Sequence, residues 1–248
     1  MRTRQKSPNA ELTIYSLIRP IDWVANRIIM AQIAGVIRVN EGIVLGADSL
    51  SLRIDSNIVK LNDKIAALCV DDFVAGASFC CELAKTASGK AFDDVIADAK
   101  KVLETNPEKY VGKILTLIFV GYDEQEAEKP FYIIKFDGQK IANASFLPFN
   151  LDIAFSVDES LARHIAQKVL TRSMPLDKSV RLMAYILLQY NQILRTGRKI
   201  SIATLSDNGF KSFNAEEINQ VVSETEQIDS NIKRKAYDIF VRNTNRRQ

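Results

Sequence analysis

Chemistry-bearing side chains are few and scattered in this sequence. His164 is the only histidine. It sits in a segment with helical spacing, with no cysteine or carboxylate pair spaced to join it, so a solvated or half-buried helix residue is expected rather than a base. Cys80 and Cys81 are adjacent, a poor geometry for a disulfide, and read as small helix residues. Cys69 completes the cysteine count, and the three make neither a disulfide framework nor a zinc pattern. Asp71-Asp72 and Asp93-Asp94 could face a cation, but neither pair has the further oxygen ligands at loop spacing that a cation requires. A glycine-rich phosphate loop is absent from the sequence. Residues 17–47 contain no serine, threonine or cysteine at all. No cofactor or metal is therefore expected.

The elements that would position any site alternate in groups. Residues 27–39 and 43–47 are Ile- and Val-rich, separated by Asn40-Glu41-Gly42, a hairpin signal in which Gly42 can take positive φ. Residues 65–70 and 73–75 read as a second strand pair around Asp71-Asp72. Phe92, Val95, Ile96, Ala99, Val102 and Leu103 recur at helical spacing. A preceding helix at 79–86 is set off by Gly89, and Asn106-Pro107 closes the pair. Strands are expected at 114–122, 131–136 and 141–146, with Asp137-Gly138 as a turn, and a short one at 152–155. Two helices follow. Ser156 and Glu159 form a capping box for the first, and the second begins near Pro175 and stops at Gly197. Strands at 200–205 and 210–213 flank Asn208-Gly209. Asn214 and Glu217 cap a last helix. Strand groups and helix pairs in this order predict an α+β fold, a four-layer αββα sandwich of two mostly antiparallel sheets between helix pairs. The domain plan is an extension at 1–27, the sandwich at 28–213, and a helix with a basic tail at 214–248.

The chain has 248 residues, 47% hydrophobic and 25% charged, enough for a full core. A formal charge of +3 is too small to suggest nucleic acid. No apolar run reaches membrane-span length, and the N-terminus lacks a signal-peptide pattern. A cytoplasmic protein without membrane or nucleic-acid partners is expected.

The run GVIRVNEGIVLGAD at 35–48 resembles the first hairpin of proteasome subunits and their compact bacterial relatives, with its turn glycine at Gly42 and its strand-ending acid at Asp48. Asn62-Asp63-Lys64-Ile65, the AGAS run at 75–78, LIFVGYD at 117–123, FYIIKFDG at 131–138, PLDKSV at 175–180 and SIATLSDNGF at 201–210 are similar to later elements of that family, in order. The resemblance implies an N-terminal-nucleophile fold, in which the first mature residue attacks through a hydroxyl or thiol and its α-amino group takes the proton. A nearby lysine and an aspartate complete such a site.

In this register the nucleophile position falls on Gln32, which cannot attack. The acid falls on Asp48, the lysine on Lys64, the oxyanion-hole N–H on Gly76 and the late acid on Ile193, which cannot serve. Asp48 and Lys64 also have plain readings, as a strand-end residue and a structural partner to it. No catalytic residue is expected. The resemblance implies a non-catalytic subunit that works by ring-type assembly, as a homo-oligomer or with related subunits. Two other readings stand beside it: an active peptidase whose nucleophile is exposed elsewhere by autocleavage, and a monomeric binding module on the same fold.

Overall fold

The computed structural model describes residues 33–49, 57–122, 131–146, 153–155, 159–194 and 199–237. The chain opens with strands β1 (Ala34–Val39), β2 (Gly42–Ser49), β3 (Ile58–Lys60) and β4 (Ile65–Asp71), then helices α1 (Phe73–Ala84) and α2 (Phe92–Thr105). A 3₁₀ turn at Pro107–Tyr110 leads to β5 (Leu115–Gly121), β6 (Phe131–Phe136), β7 (Ile141–Phe146) and β8 (Ile153–Phe155). Helices α3 (Glu159–Val169) and α4 (Leu176–Leu194), strands β9 (Lys199–Ser206) and β10 (Gly209–Ser212), and helix α5 (Ala215–Tyr237) complete it. This is a mixed α+β fold with two antiparallel sheets. Sheet A has the order β10-β9-β2-β1-β8 and sheet B the order β3-β4-β5-β6-β7.

The apolar runs do not alternate because both faces of the central strands are buried. Ile33, just before β1, and Ile37 and Val39 on it join a cluster with α3 and α4, to which α5 adds Ile218, Val221 and Val222. Ala34 and Val36 point the other way, into a cluster shared with Ala66, Leu68 and Val70 of β4. Alternate residues of β4, Ile65, Ala67 and Cys69, pack with α1 and α2. The period-2 geometry of a strand produces this sorting. Three apolar layers thus separate helices, sheet B, sheet A and helices, an arrangement compatible with a sandwich.

Local signals set most boundaries. Asn214 accepts from the N–H of Glu217 at 2.9 Å, and Glu217 reaches back to the N–H of Asn214 at 2.9 Å, the expected capping box. Gly138 and Gly209 take φ of +94° and +81° in their hairpin turns. The proposed box at Ser156, the stop at Gly197 and the segments at 1–32 lie outside the described residues.

The second strand pair is corrected. Residues 73–75 are the first turn of α1, not a strand. Asp71 turns the chain with φ +65°, and Asp72 caps the helix by accepting from the Ala75 N–H at 3.2 Å. Burial pushes the Asp72 carboxyl up. The Lys113 ammonium, 2.9 Å away, and the Ala75 N–H outweigh it and hold the group below its ordinary range.

Gly46 sets the spacing on the other side. A Cβ there would stand 2.4 Å from Met183 Cγ, so only glycine lets α4 lie this close to β2.

Candidate functional site

Asp48 is the penultimate residue of β2, the central strand of sheet A, and is fully buried. Its carboxyl oxygen accepts from the Ile33 N–H at 2.6 Å, and its own N–H donates to the Ile33 carbonyl at 2.8 Å. The aspartate thereby fixes the chain at the entrance to β1, one residue after Gln32. Gln32 itself lies outside the described residues.

A side chain that the structure brings to Asp48 is Asn57, the residue just before β3 of sheet B. Its side-chain amide donates to the Asp48 backbone carbonyl at 2.9 Å, and its backbone carbonyl accepts from the Cys69 N–H at 2.9 Å. Asn57 is fully buried. It therefore ties the end of β2 to the middle of β4. The sequence reading missed it, because nothing local marks an asparagine before a three-residue strand.

Lys64 is elsewhere. It lies in the β3–β4 turn, exposed, with its N–H on the Asn62 side-chain oxygen at 2.9 Å. The neighbouring Asp63 carbonyl lies 3.4 Å from where a Cβ on Gly209 would stand. Gly209 pairs with Ser206, and Ser206 pairs with Gly42. A hydrogen bond from Tyr122 to Asp207 marks the same end of the sheets. Asp48 is six residues from Gly42 along β2, about 20 Å of strand. Lys64 and Asp48 thus occupy opposite ends of the sheets. Spacing along the sequence joined them, and the direction of β4 parts them.

Lys64 borders a cleft of about 430 Å³ with Lys60, Asn62, Asp63, Ser88 and Lys90. Two of its lysines are already paired, Lys60 with Asp63 at 2.6 Å and Lys90 with Asp98 at 2.5 Å. Asn62 holds the cleft's far wall by donating to the carbonyls of Ala87 and Lys90 at 2.9 and 3.2 Å.

Gly76 does not present a free N–H. It donates to the Asp72 carbonyl at 2.9 Å as part of α1. Its missing side chain instead lets the helix approach β4, for a Cβ there would lie 3.1 Å from Cys69 Cβ. Ile193 is exposed near the end of α4. His164 is exposed on α3 and Asp93 and Asp94 are exposed on the first turn of α2, where they favour the helix dipole.

Among the described residues, Asp48 and Asn57 are the only two of these groups brought together with the start of β1. Both spend bonds on backbone atoms. Among the described residues there is also no cluster of three or more His, Cys, Asp or Glu able to hold a metal, and no helix long and apolar enough to cross a membrane. No protein-family model and no curated protein matches the chain.

Proposed function

We propose that the chain is a non-catalytic member of the proteasome-like αββα family, acting through ring-type assembly with its own copies or with related subunits. The observation that carries this reading is the Asp48 end of sheet A. In that family the attacking residue stands at the start of the first strand, beside an aspartate and a lysine. Here the aspartate accepts from the Ile33 N–H, and the side chain that reaches its backbone carbonyl from beside the second sheet is Asn57. An amide is neutral and cannot favour deprotonation of a nucleophile as an ammonium does. The residue before Ile33 is Gln32, and residues 17–47 carry no hydroxyl or thiol nucleophile. The strand orders of the two sheets, with helices on their outer faces, support the four-layer assignment.

Native mass spectrometry with subunit ejection tests both halves. The expected result is a closed oligomer that ejects a chain with its N-terminus intact. A chain shortened by roughly 15–35 residues to a terminal Ser, Thr or Cys, and labelled there by a threonine-directed covalent inhibitor, would overturn the non-catalytic reading. A strictly monomeric species would overturn assembly.

A further inference from the structure

Cys69 and Cys80 come from different elements, β4 and α1, and their sulfurs lie 3.6 Å apart, with the Cys69 thiol donating to Cys80. Both are fully buried in the layer between sheet B and its helices, whereas Cys81 is exposed. The juxtaposition has a local cause. Gly76 lets α1 close onto β4 at Cys69, and Cys80, one helical turn further on, shares the face that Gly76 presents. A disulfide needs its sulfurs about 2 Å apart, so closure asks for a shift of about 1.5 Å, within reach of small side-chain rotations.

We propose that Cys69 and Cys80 form a reversible disulfide when the protein meets a hydroperoxide, pinning α1 to β4. One sulfur attacks the peroxide. The O–O bond breaks, the sulfur becomes a sulfenic acid, and water or an alcohol leaves. The second sulfur then displaces the sulfenic hydroxyl, the S–S bond forms, and the departing oxygen takes up the thiol proton as water. Two thiols lose two electrons and the peroxide gains them. The neighbouring Cys69 thiol and burial push the Cys80 thiol well above its ordinary range, which keeps the pair reduced until α1 opens locally and admits the oxidant. The new bond would join residues 11 apart in sequence and restrict the unfolded chain.

The test uses the full chain and a Cys81→Ser variant, which removes the exposed competitor. Each is treated with hydrogen peroxide, unfolded under alkylating conditions and mapped without reductant. The expected result in both is loss of two hydrogen atoms in mass, one peptide pair linking Cys69 to Cys80, and a higher thermal midpoint that reductant reverses. A Cys80→Ala variant should show no peroxide-dependent rise. If Cys69 and Cys80 are both still alkylated, with oxygen added at Cys81 or dimers joined through it, the proposal fails. It fails too if Cys80→Ala gains the same thermal stability on oxidation.

Discussion

The two ends of the sheets hold polar residues under opposite conditions. At one end Asp48 and Asn57 are fully buried and bonded to backbone groups at the entrance to β1, in β2 and in β4. At the other end Lys60, Asp63 and Lys64 are exposed around a turn, where Lys60 pairs with Asp63 at 2.6 Å and the Lys64 N–H donates to Asn62 at 2.9 Å. A buried polar group left without its partner costs far more than a surface ion pair contributes. Residues that a linear motif places in one site can therefore differ greatly in what they do for the molecule.

Removal of the Asp48 carboxyl is the harshest way to break this contrast. Asp48→Ala strands the Ile33 N–H in a dry interior and is expected to cost about 2–3 kcal/mol in urea unfolding. Asp48→Asn keeps an acceptor oxygen and should recover part of that loss. Asn62→Ala comes next. It frees the carbonyls of Ala87 and Lys90 at a half-buried position, for about 1 kcal/mol by the same measurement. Lys64→Ala should stay within about 0.5 kcal/mol, as exposed substitutions do. The finest comparison is the double variant. Asp48→Ala with Lys64→Ala should be additive to within about 0.5 kcal/mol, because the sites lie at opposite ends of β2. A coupling above about 1 kcal/mol would mean that the two residues interact, and would restore the single site that the sequence register implied.

Features with short-range causes were legible in the sequence. The Asn214–Glu217 box, the turns at Gly138 and Gly209 and the apolar stripe of α2 each depend on residues a few positions apart. The strand at 73–75 was misread because three small or apolar residues follow an Asp pair equally well in a hairpin or in a capped helix. The apolar positions Phe79, Cys80 and Leu83, on one helical face with Gly76, were the signal that favoured the helix. The pairing of Asn57 with Asp48 was not legible, since it depends on how two sheets stack. Nor was the separation of Lys64, since a count of residues does not say which way a strand runs.

The hairpin of β1 and β2 is held by residues that arrive much later in the chain. Glu41 accepts from the Leu176 N–H at 2.8 Å across 135 positions, Asn40 donates to the Arg172 carbonyl at 2.7 Å, and β9 pairs along the whole of β2. Sheet B, by contrast, is drawn from the continuous stretch 58–146. On the ribosome, sheet B can close while synthesis continues. The first hairpin, apolar on both faces, must wait for residues 199–206 before its edge is covered. That interval is when a nascent chain is most open to aggregation and when a holding chaperone would matter most.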